Sequence, residues 1–251
     1  MDFIVTYAWV GALLFCRIGT VLMLAPGVGE TSVPTTFRLT IAVLVTMVLA
    51  PVLAEKTPQA PAAFGDAALI IIGEVLIGLM FGAGARLFMS ALQVAGQMIA
   101  LFSGLAAAQQ FNPVSGESGA IVALFLSMVA LVLIMATGIH RDMIQATADS
   151  YQMFPPGTPM YIGDIAEWEL ASMSKAFKLG LQIAAPILVF ALVFNLSLGL
   201  VARLIPQVQI FFIAMPTQVH MGMVILAIVL GGGLLAWIEA LKRYASLQGP
   251  Y

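Results

Sequence analysis

The chain has 251 residues, of which 61% are apolar and only 9% charged, with a formal net charge of −2. A soluble domain carries roughly 25% charged residues, so this composition excludes an ordinary cytoplasmic protein. There is no basic run, so nucleic acid is not an expected partner, and the lone Cys16 excludes an internal disulfide.

Asp, Glu, Lys and Arg are absent from Leu87 to Gly116, Ser118 to His140, Leu179 to Ala202 and Leu204 to Ile238. A membrane-crossing helix needs about 20 consecutive mostly apolar residues. Several segments reach that length, which predicts an all-α, polytopic integral membrane protein. Met1-Asp2-Phe3 lacks a positive n-region, and Arg17 follows the apolar run rather than preceding it. A cleaved signal peptide is therefore not expected, and the N-terminus is expected to be retained.

The first apolar segment covers about 3–24, interrupted by Arg17, and ends at Ala25-Pro26-Gly27. Ser32-Val33-Pro34-Thr35 reads as a turn into a second segment over about 37–53. Pro58, Pro61 and Gly65 mark an aqueous loop. A third segment starts near Ala67 and runs past Leu101, too long for one span, which predicts a bend or hairpin. The Asn112-Pro113 step stops it, because the residue before proline avoids the α region. A further segment covers about 119–139. The polar connection from Arg141 to Glu169 reads as the end of one helix followed by an ordered turn at Pro155-Pro156-Gly157. Lys175 and Lys178 open the next apolar run, about 176–201, and Arg203, Pro206 and Gln207 punctuate it. The last run, about 210–241, ends at Lys242-Arg243, which suggests a cytoplasmic C-terminus.

Charges inside apolar helices cost about 2.5–3.5 kcal/mol each on insertion scales. Glu74 and Arg86 stand out. Twelve positions separate them, roughly 18 Å along one helix, so they do not pair within it. Each either pairs with a neighbouring helix or snorkels, or else lines a wet interface or binds a partner subunit. Arg86, Ser90, Gln93 and Gln97 share one helix face, with Gly104 continuing the stripe. Such a stripe faces water or another helix rather than lipid. It serves interhelical hydrogen bonding or pore lining, two compatible roles in an assembled channel. Gly78 and Gly82 have a spacing that lets helices approach closely, and Gly231-Gly232-Gly233 reads as a bend or a close contact.

The stretch from Gly104 to Glu117 is the most unusual. Small residues lead into Gln109, Gln110, Phe111, Asn112 and Pro113. It reads as a surface turn or as an irregular loop inserted into a pore, since irregular backbone at membrane depth survives only inside protein or along a cavity. The fifteen methionines are expected to fill core gaps. His140 and His220 lack metal-ligand spacing, and HExxH, GxSxG and P-loop motifs are missing. No catalytic residue, metal ligand or cofactor site is expected, and the chain is not read as an enzyme.

Taken together, Phe15-Cys16-Arg17 through Ala25-Pro26, Val33-Pro34 with Phe37-Arg38-Leu39, and Gly73-Glu74-Val75-Leu76-Ile77-Gly78 resemble the FliR family of flagellar export-gate proteins. Gly96-Gln97, Phe111-Asn112-Pro113, Asn195 to Leu200, Arg203 to Pro206 and Phe211 to Pro216 add to the resemblance. It covers nearly the whole chain, and its specificity lies in the order and spacing of these stretches. The injectisome counterparts are called SctT. Lys178 through Ala184-Ala185-Pro186, then Pro206-Gln207-Val208-Gln209, resembles the two-helix partner FliQ.

The resemblance implies a fold of helical hairpins in a single export-gate domain. A FliP-like part occupies about 1–170 and a FliQ-like two-helix part about 171–251. It implies one subunit closing a helical assembly of FliP-like and FliQ-like subunits, with FlhB-like and FlhA-like proteins beside it. Unfolded proteins pass through, lipid surrounds the assembly, and the location is the bacterial inner membrane at the flagellar basal body. The family's plug loop corresponds to about 106–117, with Phe111 as its aromatic. Contacts to partners or pore are expected from Glu74, Arg86, Ser90, Gln93, Gln97, Arg203, Gln207 and Gln209. The competing reading is a stand-alone secondary transporter. That class usually shows internal repeats with broken helices in matching positions, and no clear repeat is found here.

Overall fold

The computed structural model describes residues 2–105, 120–158, 162–205 and 210–246. Among them the chain is all helical. Helix α1 is Asp2–Leu24, α2 is Thr35–Leu53, α3 is Phe64–Phe102 and α4 is Ala120–Thr137. Helix α5 is Ile139–Met153, α6 is Ile162–Leu204 and α7 is Ile210–Ala245, with one 3-10 turn at Ala54–Lys56. Five helices are long and apolar enough to cross a membrane, or six spans if the bent α4–α5 pair counts as one. The chain is a polytopic helical membrane protein.

Two compact units form, and neither follows chain order. The first contains Met1–Leu87, Leu133–Ser174 and Ala240–Tyr251; the second contains Phe88–Val132 and Lys175–Glu239. Helices α3, α4, α6 and α7 each contribute residues to both.

In the first unit, α1 and α2 pack together. Val10, Leu14, Ile18 and Leu22 of α1, at helical spacing, meet Ala42 and Leu53 of α2 and Tyr151 of α5. Pro34 precedes α2 with extended backbone, suited to a residue whose ring fixes φ. Most of the remaining apolar surface of α2, including Leu44, Met47, Val48 and Val52, is exposed. A surface this apolar is covered by lipid or protein, not water.

Helix α3 crosses α1 on a seam of small residues. A Cβ at Gly78 would lie 2.6 Å from the Arg17 carbonyl oxygen, and one at Gly82 2.6 Å from Leu24 Cβ. The Gly78/Gly82 spacing thus serves a real close approach. One expectation about α3 is corrected: it is one helix of 39 residues, not a bent pair or a hairpin. No proline falls between Phe64 and Phe102, and four of the helix's glycines, Gly78, Gly82, Gly84 and Gly96, sit in close contacts with neighbouring elements. Helices α3, α6 and α7 measure about 59, 65 and 54 Å at 1.5 Å per residue, well beyond one bilayer core of about 30 Å.

Two further boundaries differ from the sequence reading. Helix α3 ends at Phe102, and Gly104 follows with φ +79, so a left-handed glycine stops the helix before Asn112-Pro113 is reached. Gly104 therefore does not continue the α3 stripe. Helix α6 begins at Ile162, not near Lys175, because Ile165 and Trp168 pack on the Val21, Ile77, Met80 and Phe81 cluster. The Gly231-Gly232-Gly233 run lies within unbroken α7, and of its two readings the close contact holds: a Cβ at Gly233 would lie 3.2 Å from Ile183.

In the second unit, Phe88, Leu92, Ala95 and Ile99 form the buried face of α3. Trp237 of α7 is fully buried and donates its indole N–H to the Phe88 carbonyl at 2.7 Å. Near the end of α3, Gln218 Nε2 donates to the Phe102 carbonyl at 3.0 Å. These ties to α3 carbonyls anchor α7 along it.

Candidate functional site

The most polar point of the first unit's interior is Arg17 on α1. It is 0% exposed, and Glu74 on α3 is 1% exposed. They are the only fully buried charged side chains among the described residues. Arg17 Nε and Nη2 donate to the two Glu74 carboxylate oxygens, each at 2.8 Å. Such fork-to-carboxylate pairing is the strongest form an ion pair takes.

Two further donations come from the same guanidinium. Nη1 donates to Ser150 Oγ at 3.1 Å, and Nη2 donates to the Phe154 carbonyl at 2.9 Å. Ser150 Oγ in turn donates to the Thr147 carbonyl at 2.7 Å. The guanidinium carbon also lies 3.9 Å from the centroid of the Tyr151 ring, a cation–π contact. One side chain thus binds α1 to α3, to the last turn of α5, and to the residue that ends α5. Its cation sits at a helix C-terminus, where the helix dipole favours it.

A second tie closes the same unit. Tyr244 on α7 places its hydroxyl 3.1 Å from the Met80 carbonyl and 3.1 Å from Glu169 Oε1 of α6. Its ring packs tilted on Trp168 at 4.7 Å, and Trp168 meets Phe81 edge-on at 6.0 Å. Gly84 makes this possible, because a Cβ there would fall on the Tyr244 hydroxyl. The ends of α6 and α7 are fastened to α3 through one phenol.

The residues expected to contact a pore or partners are placed differently. Glu74 is enclosed by Arg17 inside the first unit. On α3, Arg86 is half-buried, while Ser90, Gln93 and Gln97 are exposed, opposite the buried Phe88, Leu92 and Ile99 face. Those three therefore point away from the core of the second unit. Arg203 is exposed in the last turn of α6, where a cation suits the helix end. Gln109, Gln110, Phe111, Asn112 and Pro113, and likewise Gln207 and Gln209, lie outside the described residues.

The sequence singles out Glu74 and Arg86 as embedded charges, whereas Arg17 stands there as an interruption of the first apolar segment and part of the Phe15-Cys16-Arg17 stretch. The usable signal was sign: Arg17 and Glu74 are isolated opposite charges in separate apolar segments, each too costly to leave unpaired. Ser150, Glu169 and Tyr244 carried no such signal. No group of three or more His, Cys, Asp or Glu able to hold a metal occurs among the described residues. The arrangement can fasten helices and present an amide-rich face.

The family model described as bacterial export proteins, family 1, matches residues 8–244. The chain is 41% identical to the flagellar biosynthetic protein FliR of Caulobacter vibrioides, over 95% of this chain and 94% of the relative. It is 30% identical to FliR of Aquifex aeolicus over 85% of the chain and 82% of the relative. It is 29% identical to FliR of Escherichia coli K12 over 84% of the chain and 80% of the relative.

Proposed function

Because the chain belongs to family 1 of the bacterial export proteins, the family of FliR, we propose that it is a structural and gating subunit of the flagellar type III protein export channel. It assembles with FliP-like and FliQ-like subunits, beside FlhB-like and FlhA-like proteins, in the inner membrane at the basal body. Its first 170 residues act as a FliP-like part and the remainder as a FliQ-like pair of helices.

One observation carries the reading. Helix α3 exposes Ser90, Gln93 and Gln97 opposite an apolar buried face and ends at Phe102, ahead of the stretch holding Gln109 to Pro113. Amides offer weak contacts that tolerate many sequences, which suits a wall past which unfolded chains slide. The segment from Gln109 to Pro113 is the plug, with Phe111 as its apolar stopper and methionines as deformable packing around it. Arg86, Arg203, Gln207 and Gln209 contact partner subunits. Opening energy comes from those partners, since the sequence contains no P-loop.

A stand-alone secondary transporter usually shows internal repeats with broken helices in matching positions, and this sequence has no clear repeat. The test is export of a flagellar substrate from cells lacking the chain. Export should vanish and return with the wild-type chain. Undiminished export without it would refute the proposal.

A further inference from the structure

Helix α5 differs from the other helices. It is 15 residues long, and it is bent by 69° from α4. The bend falls at Gly138, whose φ of +80 is left-handed and whose added Cβ would meet the Arg141 guanidinium at 2.7 Å. Its buried face is Ile139, Met143, Ala146, Thr147, Ser150 and Tyr151. The outer face carries Asp142, Gln145, Asp149 and Gln152, which with Lys242 and Ser246 line an open groove of about 690 Å³.

The two ends of α5 are held by different means. At its start Gly138 adopts a conformation other residues rarely take, Ile139 is fully buried, and His140 Nδ1 lies 3.4 Å from the Ile134 carbonyl across the bend. At its end there is the Arg17 guanidinium, on both the Ser150 hydroxyl and the Phe154 carbonyl. Glu74 occupies the other edge of that guanidinium and aims it. Both held groups lie at the end of α5 remote from Gly138.

We infer that Arg17 is a latch on α5 and Gly138 its hinge. Glu74 and Arg17 hold the C-terminal end of α5 against α1 and α3. When the latch is broken, α5 loosens about Gly138 as a unit, while α1 and α3 keep their glycine-seam packing. Arg17 is a positioning residue here, and the element it positions is one wall of the polar groove. The inference stands apart from the export reading, because it concerns only contacts within the first unit.

Hydrogen exchange on the full chain in lipid nanodiscs tests this, comparing peptides from α1, α3 and α5. Arg17→Lys keeps the charge but loses the fork. Arg17→Met with Glu74→Leu removes both charges together and avoids an orphaned buried ion. In both, amides over 139–154 should exchange about ten- to a hundredfold faster, the range expected when a charge-assisted hydrogen bond is lost. Amides over 10–24 and 70–82 should change much less. Equal acceleration in all three helices would reduce Arg17 to general packing and overturn the latch, as would unchanged α5 exchange. If the doubly apolar variant does not fold, Arg17→Lys decides between the same outcomes. Should Arg17→Lys also fail to fold, Ser150→Ala, which removes one of the two contacts on α5, must still speed α5 selectively for the latch to stand.

Discussion

Arg17 and Glu74, 57 residues apart in sequence, meet at 2.8 Å through two parallel hydrogen bonds in the interior of the first unit. Each is a buried charge in a mostly apolar helix, and each offsets part of the cost of burying the other. The pair and the close approach of α1 and α3 at Gly78 and Gly82 set the same register.

Replacing either partner alone with Ala should be severe. An uncompensated buried charge costs about 3–5 kcal/mol. Arg17→Ala and Glu74→Ala should each lower the yield of monodisperse protein in detergent chromatography and its thermal midpoint. The double variant Arg17→Ala with Glu74→Ala should lose clearly less than the sum of the two single changes. Strict additivity in that variant would show that the two side chains are not energetically coupled.

The phenol tie makes a contrasting pair of glycine predictions. At Gly84 an added Cβ would collide with the Tyr244 hydroxyl, whereas at Gly73 nothing lies within 4 Å. Gly84→Ala should destabilise and Gly73→Ala should be neutral or stabilise by up to about 1 kcal/mol, as alanine is the better helix former. Tyr244→Phe should cost about 1 kcal/mol, the usual net value of one hydrogen bond. Thermal midpoints of the three variants in one detergent check all of this together.

Changing Arg86, Gln93 and Gln97 to Leu should leave membrane insertion intact, because Leu is better accepted by lipid than the residues it replaces. Assembly or export should fall. Normal motility with normal complex yield would make the stripe incidental.

The proposed plug has its own signature. Phe111→Ala, or deletion of residues 108–113, should raise ion conductance of the assembled gate in planar bilayers. Unchanged conductance in a correctly assembled variant would remove the plug role.

The helices themselves were legible in the sequence because bilayer solvation demands long uncharged runs, and α1, α2 and α4 have boundaries close to those expected. The length of α3 is not legible from one bilayer thickness, because no proline breaks the helix between Phe64 and Phe102. The start of α6 was missed because Asp164, Glu167 and Glu169 suggest a loop, while Trp168 packs on Phe81 and keeps the segment helical. For the site, single charges in apolar runs flagged Glu74, but its partner is a tertiary fact. Pairing with Arg17 depends on how α1 crosses α3 at Gly78, and sequence spacing alone does not encode that crossing.

The most direct test of the central claim is a gentle detergent pull-down of the tagged chain from its native membrane, with mass spectrometry of the co-purified proteins. A stable complex containing FliP-like and FliQ-like subunits is the expected result. Recovery of the chain alone, or only with copies of itself, would contradict it.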